Sequence, residues 1–144
     1  MNGGSGNDAL FGEEGNDSLN GGNGNDSING GSGSDVIVGG AGEDRLIGSG
    51  GKDTFFYNNV QEGNDLINDF AVAEEVINLS QIVTGADYGS ATPFIDYVEL
   101  TQLGADTVVK IDPDGDIGDR KNQNLVTLRR VAVSELTADN FVFD

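Results

Sequence analysis

Aspartate recurs at a fixed interval of nine through the first part of the chain, at Asp8, Asp17, Asp26, Asp35, Asp44 and Asp53. Carboxylate oxygen is the donor that hard divalent cations prefer, so a column of such groups points to ion binding. Side chains can form a column only if the backbone between them repeats as well. It does. Position one of the nonapeptide is always glycine (Gly3, Gly12, Gly21, Gly30, Gly39, Gly48). Position four is glycine too (Gly6, Gly15, Gly24, Gly33, Gly42, Gly51), and position eight is always large and apolar (Leu10, Leu19, Ile28, Ile37, Leu46, Phe55). Only position two slips, to Glu13 and Ser49.

The glycines predict a turn over positions one to six, because they allow backbone angles and close approaches that other residues resist. The last three positions predict a short strand with its middle side chain facing inward. Turn and strand alternating predict a flat right-handed solenoid with two repeats per coil, each repeat stacked on the one two places along. Asp8, Asp26 and Asp44 then line one edge, and Asp17, Asp35 and Asp53 the other. Stacked carboxylates repel unless a dication lies between them, and such an ion wants about six or more oxygens. One aspartate per turn is too few, so main-chain carbonyls must complete the shell. The candidates are Gly3, Gly12, Gly21, Gly30 and Gly39 at position one, Gly22, Gly31 and Gly40 at position two, and Ser5, Glu14, Asn23 and Ser32 at position three. Position four adds Gly6, Gly15, Gly24, Gly33, Gly42 and Gly51, and position five Asn25. Carbonyls alternate in direction along an extended turn. Positions one, three and five are therefore expected to serve one ion, and two, four and the aspartate the next.

Composition agrees with this division. Of the 23 glycines in 144 residues, 17 fall within residues 1–56. The formal net charge of −18 disfavours nucleic acid and anionic membranes as partners. With neither Cys nor His, disulfides, thiolate chemistry and histidine-based zinc or acid–base sites are excluded. No apolar run is long enough to span a membrane. Met1 leads directly into the repeats, so no signal peptide is expected there and the chain reads as a fragment of a longer one. Gly51-Lys52-Asp53 falls short of a phosphate-binding loop, since Leu46 and Asp53 occupy its first glycine and its Ser/Thr positions.

Residues 3–56 resemble the RTX (repeats-in-toxin) family, whose nonapeptides bind calcium as a parallel β-roll. The resemblance implies an all-β fold that forms only with calcium. Six buried apolar side chains cannot offset the entropy of ordering so much glycine-rich backbone. Residues 57–144 read as a small β-rich C-terminal capping region. Strands are expected at Asp65–Phe70, Glu75–Leu79, Tyr97–Thr101, Asp106–Asp112 and Asn124–Val131, with a hairpin about Gly104-Ala105 and a helical turn over Ser134–Asp139. Asp65 or Asp69 is a candidate for a further ion, and Asp112–Asp119 partly resembles an EF-hand loop. Four stacked turn pairs, with one or two sites in the cap, give about four to six calcium ions.

Asp65-Leu-Ile-Asn-Asp-Phe70, Glu74-Glu-Val-Ile-Asn-Leu79 and the terminal Phe141-Val-Phe-Asp144 are similar to the ends of RTX proteins exported by type I secretion. That likeness implies an extracellular bacterial protein, a monomer, with the type I secretion apparatus as partner and a secretion signal at the C-terminus. A polysaccharide-binding accessory module is the alternative, since the R-modules of alginate epimerases resemble this layout. Its basic track would have to come from Lys110, Arg120, Lys121, Arg129 and Arg130. No residue pair stands out as catalytic, so no enzyme is expected.

Overall fold

The computed structural model describes residues 1–82, 97–112 and 123–143. The repeats supply seven strands: β1 (Asn2–Ser5), β2 (Ala9–Phe11), β3 (Ser18–Asn23), β4 (Ser27–Ser32), β5 (Val36–Ala41), β6 (Arg45–Gly50) and β7 (Thr54–Phe56). Odd strands build one parallel sheet and even strands another, which is the coil that a nonapeptide repeat taken two at a time requires. The register advances by two repeats. Leu10 pairs with Ile28 and Ile28 with Leu46, while Leu19 pairs with Ile37 and Ile37 with Phe55. Every position-eight side chain is buried between the sheets.

The inner strands run longer than the sequence predicts. β3, β4, β5 and β6 each continue past position nine into positions one to three of the next repeat. Stacking at a constant offset gives those residues ladder partners, such as Gly22 with Gly40 and Asn23 with Ala41. Position two makes this continuation possible by turning left-handed, with φ of 107° at Gly22 and 106° at Gly31. Glu13 and Ser49, which replace glycine there, are forced to φ of 74° and 72°, where side chains are disfavoured. The turn proper is confined to positions four to six.

The C-terminal region extends both sheets. β8 (Asp65–Ile67) pairs with β6, and β9 (Val76–Asn78) with β7. Their offsets from the last repeats grow, Leu46 meeting Ile67 and Phe55 meeting Ile77, because residues 57–64 form an inserted loop. The remaining strands are β10 (Val98–Leu103), β11 (Asp106–Ile111), β12 (Gln123–Leu128) and β13 (Phe141–Val142). Among the described residues the sheets run β1-β3-β5-β7-β9-β13 and β10-β11-β12-β8-β6-β4-β2. β10 and β11 form the expected antiparallel hairpin, with Gly104 at φ 66° in its two-residue turn.

β12 and β13 cover β8 and β9, so the last coil presents no bare edge at this end. Phe55 packs on Phe70 with ring centroids 6.1 Å apart, and Ile67, Ile77, Leu79, Leu128 and Phe141 close the core beyond them. The helical turn expected at Ser134–Asp139 is resolved into two 3-10 turns, Val133–Glu135 and Ala138–Asn140. Asn140 fastens the second to the core by donating from Nδ2 to the Val72 carbonyl at 2.8 Å. No helix among the described residues is long and apolar enough to cross a membrane.

Candidate metal sites

From Asp26 onward, each aspartate of the repeat uses its two oxygens differently. Oδ1 accepts a hydrogen bond from the backbone amide of the aspartate two repeats earlier: Asp8 to Asp26 at 2.7 Å, Asp26 to Asp44 at 2.7 Å, Asp17 to Asp35 at 2.8 Å and Asp35 to Asp53 at 2.9 Å. These bonds fix the carboxylates in two columns, one on each edge of the roll, as the period of nine predicts. Oδ2 is different. In all six repeat aspartates it is buried and lacks a hydrogen-bond partner. A buried charge left unpaired is strongly unfavourable, so the columns need a cation to be stable.

The space beside each Oδ2 is kept open by the glycine at position one. A Cβ placed on Gly3 would lie 2.7 Å from Asp8 Oδ2 and 2.6 Å from the carbonyl oxygen of Gly21 in the next turn. Gly21 repeats the arrangement with Asp26 Oδ2 and the Gly39 carbonyl, Gly12 with Asp17 and Gly30, and Gly30 with Asp35 and Gly48. At each of these glycines a carboxylate oxygen and a main-chain carbonyl converge on the same gap, the donor types that calcium takes. The cradles therefore fit a dication held by one carboxylate oxygen and main-chain carbonyls. Among the described residues no three acidic side chains converge on one point, as expected where the backbone supplies much of the shell.

Comparison with known proteins identifies this arrangement. The model of the RTX calcium-binding nonapeptide repeat, in four copies, matches residues 2–37 and 29–59. Residues 2–59 are RTX calcium-binding repeats. Among solved structures, the AlgE6R3 subunit of the Azotobacter vinelandii mannuronan C5-epimerase is 29% identical, with a TM-score of 0.71 over 98% of this chain and 80% of that one. The AlgE6R2 subunit of the same enzyme is 25% identical, with a TM-score of 0.60 over 97% of this chain and 91% of that one. No curated protein sequence matches significantly.

The remaining carbonyls of the RTX turns divide by direction. The glycines at positions two and four of each turn face the same positions of the turn before: Gly22 faces the Gly4 carbonyl, Gly31 that of Glu13, Gly40 that of Gly22, and Gly24, Gly33, Gly42 and Gly51 those of Gly6, Gly15, Gly24 and Gly33. Position-one carbonyls face the other way, so the expected alternation is present. Position-three carbonyls also accept hydrogen bonds from position-four amides of the preceding turn, as Asn23 does from Gly6 and Ser32 from Gly15, both at 2.8 Å. Ser5 ends β1 and pairs with Asn23, and Glu14 bridges to Ser32. Asn25 works through its side chain as well, its Oδ1 accepting from the Glu43 amide at 3.1 Å.

Beyond the RTX repeats the columns continue. Asp65 follows Asp44 despite the inserted loop, accepting from the Asp44 amide at 2.9 Å and leaving Oδ2 buried without a partner. Asp69 is exposed and binds the amides of Gly48 and Ser49 at 3.1 and 2.9 Å. The residue that the nonapeptide pattern misses is Glu75. It stands two residues before Ile77, as Asp53 stands before Phe55, and it is 1% exposed with Oε1 unpartnered. The signal was an acid, any residue and a buried aliphatic in Glu75-Val-Ile77; searching for aspartate alone passes over it. Of the EF-hand-like segment, Asp112 is buried and residues 113–119 lie outside the described residues, as do Arg120 and Lys121.

Burial pushes the Asp65 carboxyl up to about 7, with the Asp44 charge adding to it, and Glu75 up to about 8, with Asp69 and Asp53 adding. Burial also raises Asp44, Asp53 and the Tyr57 hydroxyl. Without calcium, the coiled form thus holds protons that the unfolded chain releases above pH ~4. Its stability is greatest in acid, falls as pH rises above ~4, and has lost this contribution once Asp65 and Glu75 ionise at about 7 and about 8. Calcium-stripped protein is expected to show more β-structure by circular dichroism at pH 5 than at pH 8.5. A flat profile would contradict this.

The stacking makes unequal demands on equivalent aspartates. Asp26 contacts the turn before it through Oδ1 and the turn after it through the Oδ2 cradle, whereas Asp8 contributes Oδ2 to a single cradle. Asp26→Ala is expected to weaken two sites and Asp8→Ala one, read as calcium bound per chain by calorimetry. Equal losses would argue against the register.

Proposed function

We propose that this chain is a non-catalytic module that folds on calcium outside the cell and supports type I secretion of a larger bacterial protein. The carrying observation is the pair of columns of buried, unpartnered carboxylate oxygens in residues 8–53. Without ions they repel one another, and the chain stays an extended acidic polymer able to pass a narrow channel. Extracellular RTX-class sites, with dissociation constants of about 10⁻⁴–10⁻³ M, load only beyond the cytosol. Each ion orders the turn that its neighbour needs, so loading is cooperative. Folding outside then hinders back-sliding. Phe141 and Val142, the start of the segment similar to a secretion signal, close the sheet as β13 in the folded form. A reporter ending in residues 1–144, coexpressed with a type I apparatus, is expected in the medium. Truncation before Phe141 should retain it, and an intact fusion that stays in the cell would contradict the export role.

A second reading is supported by the similarity to subunits of a mannuronan C5-epimerase: an accessory module that binds a polyuronate in calcium. The observation favouring it is the outer face of the sheet containing β6, β8 and β12. Arg45 stands in register with Leu66 and Thr127, and Arg129 follows in the next outward row, its Nη1 3.3 Å from Asn68 Oδ1. Arg45, Arg129 and Arg130 are exposed. Polymannuronate titration at saturating calcium tests it. Binding abolished by Arg45→Ala with Arg129→Ala supports this reading, and no uptake by the loaded parent excludes it.

A further inference from the structure

At Gly3, Gly12, Gly21 and Gly30 the cradle is shared by an aspartate of the same turn and a carbonyl of the next. At Gly48 there is no next repeat. A Cβ placed there would meet Asp53 Oδ2 at 2.5 Å and Glu75 Oε1 at 2.7 Å. Glu75 thus occupies the slot that the Gly21 carbonyl fills at Gly3 and the Gly48 carbonyl fills at Gly30. Both carboxylates are 1% exposed, and both oxygens lack a hydrogen-bond partner. Their other oxygens are occupied, Asp53 Oδ1 by the Asp35 amide at 2.9 Å and Glu75 Oε2 by the Ala71 amide at 2.9 Å. The free oxygens are therefore aimed at one another's space and held there.

We propose that Asp53 and Glu75 hold a calcium ion at the junction of the last repeat and the cap, in a site that the nonapeptide pattern does not contain. This rests on the calcium reading of the coil. A charged oxygen replaces a neutral carbonyl, so the site carries two negative charges where a repeat cradle carries one. It binds its ion more tightly than the repeat cradles and loads before them. The ion also joins two parts of the fold. Asp53 precedes β7 and Glu75 precedes β9, so occupancy fixes β9 of the cap against the last strand of the repeats. Loading at this end supplies an ordered coil on which the earlier turns stack.

Native mass spectrometry of the full chain during a calcium titration tests the proposal, with Glu75→Gln, Gly48→Ala and Gly50→Ala beside the parent. Glu75→Gln keeps an oxygen in place but removes its charge. The ion that loads first in the parent should then need at least tenfold more calcium. Gly48→Ala keeps both carboxylates and fills the cradle, so the chain should hold one ion fewer at saturation. Gly50→Ala meets nothing nearer than the Gly31 oxygen at 3.9 Å and should load like the parent. Glu75→Gln and Gly48→Ala chains that match a calcium-loaded parent would overturn the junction site alone. A parent that takes up no calcium would overturn the coil reading with it.

Discussion

Gly33→Ala is expected to cost the calcium-loaded protein about 3 kcal/mol more than Gly6→Ala, although both glycines occupy position four of the repeat. Both have left-handed φ, 136° at Gly33 and 108° at Gly6, so both variants carry a backbone penalty of about 1–3 kcal/mol. They differ in what the new methyl meets. At Gly33 it would lie 2.6 Å from the carbonyl carbon of Gly15 and closer still to its oxygen. Backbone cannot swing away as the end of a side chain can, and that carbonyl faces the interval between turns. The turns must part, which opens the Gly15 to Ser32 hydrogen bond of 2.8 Å that joins them and spreads the oxygens around the ion. At Gly6, in the first turn, a Cβ would meet nothing within 4 Å. Chemical unfolding at fixed millimolar calcium measures both. Equal destabilisation would mean that the turns are not stacked at two-repeat spacing.

The repeat half was legible because every structural demand falls on a different position of nine. Aspartate, the inward apolar residue and the spacing glycines cannot exchange places, so their fixed positions were enough for register, edge and core. Strand length was not legible. Positions one to three look like turn in any single copy, and they join the ladder only because an identical segment lies two repeats away. Asp65 could be found as a displaced aspartate, but the inserted loop at 57–64 hides its alignment with Asp44. Glu75 was harder still. Its role depends on Gly48 lying opposite it across the stack, a pairing that local sequence does not contain. In the cap, alternation located β8 to β12 approximately, while their places beside the roll were set by long-range pairing such as Val126 with Asp65.

The second large effect is calcium withdrawal. Seven aspartates and Glu75 each keep one buried carboxylate oxygen without a hydrogen-bond partner, and the glycine-rich turns around them have little apolar surface to hold them closed. Removing the ions leaves those charges stacked against one another in a poorly polar interior, while the unfolded chain can hydrate all of them. Loss of the coil, and not mere loosening, is therefore expected at neutral pH. Far-UV circular dichroism during calcium titration, followed by EDTA and calcium again, measures this most directly. The expected result is a disordered spectrum in EDTA, a cooperative rise of β-signal at calcium of about 10⁻⁴–10⁻³ M, and full reversal on each exchange. The same compact, cooperatively melting structure in EDTA as in calcium would contradict it.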